Sequence, residues 1–163
     1  MRGLPPERWG LDPAGFPDIE ALRRSLRVRD DAVWFSSPEE KALDTARRLT
    51  DGPVTVADDL SEHRRGARWF DSPEEFRAAV RRAFERPDES AVPEWEPLSR
   101  TADRVVGAVR RLLDAHDSDL VLVGHGTAWT VLAAAFSGGP PDLDAWERLA
   151  MPDVWVLDTP RSE

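Results

Sequence analysis

At 163 residues, 40% hydrophobic and 33% charged, the chain is long enough for one domain with a core of its own. It has no cysteine, which excludes disulfides, thiolate metal sites and a cysteine nucleophile. A formal net charge of -9 argues against nucleic acid or an anionic membrane as the main partner, so an anion would need a local positive pocket. No apolar run reaches the roughly eighteen residues of a membrane span, and the polar, proline-bearing start is unlike a signal peptide. The default address is the cytoplasm.

Residues 1–16, MRGLPPERWGLDPAGF, read as an irregular N-terminal segment of a single domain covering 1–163. Pro17 to Arg27 reads as a helix with Ile19, Leu22 and Leu26 on one side. Ala32 to Phe35 is a short apolar strand, after which Ser37-Pro38-Glu39-Glu40 predicts a helix start. Ser37 would be the cap, Pro38 would lie in the first turn, and Glu40 would close a capping box. Pro53 to Ala57 reads as a second strand, and Ser72-Pro73-Glu74-Glu75 repeats the helix-start chemistry. A proline-rich loop from Pro87 to Pro97 leads to a helix over about Ser99–His116. Strand Leu120–Val123, helix Thr127–Phe136, a short helix near Asp142–Leu149 and strand Val154–Leu157 complete the chain. The alternation predicts a three-layer α/β fold with a mainly parallel sheet, whose site lies at the carboxyl ends of the strands.

His125 stands at such an end, between Gly124 and Gly126. The backbone N–H groups of Gly126 and Thr127 would open the next helix, where orphan donors and the helix dipole favour an anion and glycine admits a ligand close to the backbone. A histidine satisfied by neighbouring carbonyls is the equally open alternative.

Several segments, taken in order, resemble the histidine phosphatase superfamily, the phosphoglycerate-mutase-like proteins. "VLVGHGTAWTVLAAA" is similar to the family's second-histidine motif, "DAVWFSSPEEKALDTARRL" to its Ser-Ser-Pro segment and "VADDLSEHRRGARWF" to its acid segment. The ending from Trp146 to Val154 also fits. The resemblance implies attack by a histidine of an Arg-His-Gly motif on a phosphoryl group, with two arginines and a second histidine around the phosphate and a carboxylate protonating the leaving group. No metal or cofactor is implied. Carried over, His125 matches the second histidine, Glu62 the acid, and Lys41 falls where the second arginine belongs. His63, beside Glu62, is expected near the mouth of the site. His116 reads as structural, closing a helix.

The first strand and its Arg-His-Gly are not in the sequence; only Met1-Arg2-Gly3 stands upstream, without the histidine. The second departure is Lys41, the one lysine in a chain that otherwise uses arginine. Lysine is a point charge where arginine offers a planar fork. In the family the absent strand lies beside the one carrying the second histidine, and each backbone group left buried and unpaired costs about 1–3 kcal/mol. The sheet must therefore close over the gap, take a strand from another chain, or belong to a protein that begins further upstream.

Three functions follow. One is a phosphomonoester hydrolase, impaired in this chain for want of its nucleophile. Another is a pseudophosphatase that binds an anion through His125, Gly126, Thr127 and Lys41. The third is an acid–base enzyme (isomerase, cyclase or hydrolase) acting on a non-phosphorylated small molecule through Glu62, His125 and His63. Trp34, Trp69 and Trp95 are expected to border the cleft, and variable loops over Arg64–Pro97 to set specificity. A homo-oligomer that shares a strand is compatible with all three.

Overall fold

The computed structural model describes residues 8–159. Met1-Arg2-Gly3 and the rest of the first seven residues lie outside them. Helix α1 (Phe16–Ser25) follows a short 3₁₀ turn at Pro13–Gly15, and β1 (Val33–Ser36), α2 (Glu40–Leu49) and β2 (Val54–Val56) come next. Then follow α3 (Pro73–Glu85), α4 (Leu98–Ala115), β3 (Leu120–Val123), α5 (Gly126–Ser137) and α6 (Leu143–Glu147). The three strands form one parallel sheet in the order β2-β1-β3, with Trp34 opposite Val54 on one side and Val121 on the other. Each parallel neighbour needs a helical crossover, and α2 supplies the one between β1 and β2.

Alternation along β1 divides its side chains between two layers. Phe35 packs with Val105, Val106 and Val109 of α4 and with Ala128 and Leu132 of α5. Trp34 points to the opposite face of the sheet, is buried there, and does not border the cleft as expected. A second cluster joins α3 to α5 through Ala79, Val80, Val92, Trp95 and Val131. Trp95 is thus mainly core, whereas Trp69 is exposed at the cleft.

Two expectations fail. Val154–Leu157 forms no strand; all four residues are exposed in irregular chain. A strand requires a neighbouring edge for its backbone groups, and this segment pairs with none of the three strands. One free edge of the sheet is that of β3. Val33 donates to the Asp119 carbonyl and Ser37 to the Val123 carbonyl, so Leu120 and Leu122 turn their backbone away from β1. Among the described residues no strand pairs there, and the sheet has not closed. A cleft of about 2760 Å³ runs along β3, with Val154–Leu157 among its lining residues.

The second failure is the helix start at Ser37. Helix α2 begins at Glu40, Glu39 occupies the cap position, and no side chain caps it. The Ser37 N–H is still bonded to β3, so the sheet and not the helix directs its hydroxyl.

Candidate active site

The carboxyl ends of β1 and β3 deliver two histidine contacts to the head of the cleft. His125 Nε2 lies 2.8 Å from Ser37 Oγ and 3.0 Å from Glu39 Oε2, with the ring and both partners buried. The Glu39 oxygen is close but poorly aligned for a hydrogen bond, so Ser37 holds the better-directed contact. Burial opposes the charge on Glu39, but the close contact with the His125 ring, with help from Ser37 and the Glu62 N–H, holds its pKa down at about 2. Glu39 therefore stays a carboxylate. Sequence reading assigned Glu39 no role of its own beside Ser37, Pro38 and Glu40; its position two residues after a sheet-bound serine is the signal that could have found it.

Glu62 comes from the loop after a short 3₁₀ turn at Asp58–Leu60. Arg104 pins that loop to α4 by donating to the carbonyls of Asp59, Ser61 and Glu62 and to the Glu96 carboxylate. Thus fixed, Glu62 accepts from Thr127 N at 3.2 Å and from Ala128 N at 2.9 Å. The expected anion position at the start of α5 is accordingly filled by the protein's own carboxylate, a cap supplied from 65 residues away. Burial works against ionisation of Glu62, but Arg65, then His125 and the N–H groups of His63 and Ala128, keep its pKa below the usual carboxylate range.

The flanking glycines serve packing. A Cβ on Gly124 would lie 2.4 Å from the Trp129 ring, and one on Gly126 2.7 Å from Leu149 Cδ1. They admit hydrophobic side chains where close approach of a ligand was expected.

His63 is not at the mouth. Its ring is buried edge-on against Trp95, and Nε2 donates to the Glu96 carbonyl at 2.8 Å. Burial and the nearby Arg65 lower its pKa, leaving a neutral ring whose Nδ1 faces Arg65 Nε at 3.4 Å. His116 donates from Nδ1 to the Leu112 carbonyl, the structural role expected of it. Lys41 lines the cleft on another side, with Nζ 5.9 Å from the Trp9 ring. Arg65, which the sequence reading passed over, sends Nη2 to Thr127 Oγ1 at 2.6 Å.

The family model for the histidine phosphatase superfamily (branch 1) matches residues 7–158. The chain belongs to that superfamily. Among solved structures, YhfR of Bacillus stearothermophilus is 26% identical, with a TM-score of 0.68 over 90% of this chain and 76% of that one. A mycobacterial glucosyl-3-phosphoglycerate phosphatase shares the fold at 24% identity and a TM-score of 0.67, over 86% of this chain and 73% of that one. Its complex with inorganic phosphate matches with a TM-score of 0.67 over 91% of this chain and 81% of the other. No curated protein matches the chain significantly.

Among the described residues, no helix is long and apolar enough to cross a membrane, and no group of three or more acidic or histidine side chains could hold a metal ion. The site therefore offers an imidazole, two carboxylates, a threonine, a guanidinium and a lysine ammonium around one cleft. That set can bind an oxyanion and move a proton.

Proposed function

We propose that this cleft is a phosphomonoester site and that the chain as given binds phosphate esters without turning them over efficiently. The observation that carries the reading is the convergence of the Ser37–Glu39 loop, the Glu62 loop and His125 at the carboxyl ends of adjacent parallel strands. His125 contacts the phosphoryl oxygens, Thr127 and Lys41 help to hold them, and Gly126 shapes the turn between. Glu62 is the proton donor to the leaving oxygen. It becomes one when a phosphate dianion enters beside it, since a like charge disfavours the carboxylate. His63 supports the site from behind and touches no substrate.

Hydrolysis through a phosphohistidine needs an imidazole free to attack phosphorus. His63 is bonded to the Glu96 carbonyl, His116 to the Leu112 carbonyl, and His125 to Ser37. All three histidines of the sequence are thus engaged, and none supplies the nucleophile. The test is direct: inorganic phosphate and vanadate should bind saturably, while p-nitrophenyl phosphate should not be hydrolysed. Placing an apolar strand ending in Arg-His-Gly ahead of Met1 should create hydrolysis that His125→Ala abolishes. Absence of phosphate binding to the unmodified chain would overturn the reading.

One observation favours a second reading. A buried carboxylate 3.0 Å from an imidazole, as in Glu39 and His125, orients a general base without any phosphate. Acid–base chemistry on an uncharged small molecule would then leave phosphate binding weak and insensitive to His125→Ala.

A further inference from the structure

Six cations lie among the lining residues of the cleft: Arg27, Lys41, Arg64, Arg65, Arg68 and Arg110. Arg64 and Arg68 are exposed, and the Arg68 guanidinium rests over Phe70. Lys41 stands over Trp9. Arg65 alone bonds to the opening turn of α5, through Thr127 Oγ1, two residues from His125.

Its surroundings fix it without using up its donors. The guanidinium lies 5.1 Å from the Phe76 ring centre and 5.0 Å from that of Trp95, both rings belonging to the packed region between α3 and α5. Such contacts to aromatic faces attract the cation but occupy no N–H group. Of the five donors on the fork, Nε reaches His63 Nδ1 only at 3.4 Å and Nη2 reaches Thr127. Nη1 bonds to nothing among the described residues, and the charge of Arg65 is met only by the nearby Glu62 carboxylate, which makes no direct ion pair with it and is itself bonded to the Thr127 and Ala128 N–H groups. A positive charge in packed surroundings costs free energy unless it is paired, so a fork held in place with donors to spare is fitted for an incoming anion.

Two main-chain amides of this helix start are already engaged. Glu62 takes those of Thr127 and Ala128. With those amides taken, the charge of a phosphate beside His125 and Thr127 calls for a side-chain cation, and arginine matches two phosphate oxygens at once where lysine meets one.

We propose that Arg65 is the principal phosphate-holding residue of this chain, taking two phosphoryl oxygens in its fork at the start of α5, with Lys41 in a lesser role. The assignment rests on the phosphomonoester reading given above. When phosphate enters, Nη2 exchanges Thr127 Oγ1 for a phosphoryl oxygen and Nη1 takes a second, while the guanidinium stays on its aromatic bed.

The probe is inorganic phosphate, titrated by calorimetry into the full chain and into Arg65→Gln, Arg65→Lys and Lys41→Gln. Arg65→Gln should weaken binding at least tenfold, Arg65→Lys should recover part of the loss, and Lys41→Gln should cost less than Arg65→Gln. A smaller loss in Arg65→Gln, or a greater one in Lys41→Gln, rejects the assignment. Should Arg65→Gln fail to fold, the Arg65 Nε–H resonance of the wild-type protein decides. It should shift with phosphate along the same saturation curve as the heat, and a resonance that stays still rejects the role. Failure of wild-type protein to bind phosphate removes the phosphomonoester reading as well. Normal wild-type binding that ignores Arg65 removes this inference alone.

Discussion

Ser-Pro-Glu-Glu occurs twice, at Ser37–Glu40 and at Ser72–Glu75, and the two copies do opposite work. At the second, Ser72 Oγ accepts from Glu75 N at 3.1 Å, Pro73 opens α3, and Glu74 lies in solvent. At the first, the helix starts later, no side chain caps it, and Ser37 and Glu39 are buried against His125. The difference arises one residue earlier. Ser72 follows a surface turn, whereas Ser37 is still the last rung of a sheet, its N–H bonded to the Val123 carbonyl. A backbone held by the sheet cannot also rotate the hydroxyl over a helix end. The same four residues therefore cap a helix in one place and build a site in the other.

The comparison is broken most sharply at the first glutamate of each copy. Glu39→Ala leaves the Glu62 N–H without its partner and takes the carboxylate from the His125 ring, which keeps only Ser37, and removal of one member of a buried pair costs about 3–5 kcal/mol. Urea denaturation of Glu39→Ala should show a loss of that order, and Glu74→Ala no measurable change. A Glu39 loss below about 1 kcal/mol would mean the pair contributes little that solvent cannot replace.

Next in size is the effect of acid. The Glu39 pKa is near 2 in the folded protein and ordinary when unfolded, so the folded state favours the charged form. Its contribution is complete above about pH 5 and lost as the pH falls towards 2, because the unfolded chain binds the proton first. The gap in stability between wild type and Glu39→Gln should narrow steadily across that window. Glu74→Gln should track wild type throughout. A gap that does not narrow would show that Glu39 acts through shape and not through charge.

This pair of sites also marks how far the sequence can be read. Hydrophobic period and helix-start chemistry placed β3 at Leu120–Val123 and its neighbours within a residue or two, because those signals are local. The Ser72 cap was legible for the same reason. Ser37 carried the same local signal and was misread, since its behaviour depends on a hydrogen bond to a strand more than eighty residues away. Glu62 was singled out through family resemblance, as the acid, but its capping of α5 was not foreseen, because no spacing along the chain encodes it. Arg65 was missed because one arginine in a run of charged residues looks like solvated surface; only its placement against Phe76, Trp95 and Thr127 distinguishes it. Val154–Leu157 shows the converse. Its composition is that of a strand, and without a pairing strand composition alone does not make one.

The smallest expected effects concern the serines, and they sharpen the comparison through chemistry more than through size. Ser72→Ala should cost about 1 kcal/mol, the usual worth of an N-cap, and Ser72→Asp should restore it because aspartate caps equally well. Ser37→Ala also loses one hydrogen bond, with a net cost again near 1 kcal/mol, but α2 should keep its helical content because Ser37 never capped it. What should move is the His125 imidazole, seen as a shift in its side-chain nitrogen resonances. Ser37→Asp then separates the two copies. It puts a second carboxylate beside Glu39 in a buried pocket, so at neutral pH it should be worse than Ser37→Ala, the reverse of the order at Ser72. If aspartate were tolerated at both serines alike, Ser37 would be acting as a cap after all, and the sheet-bound explanation of the site would fail.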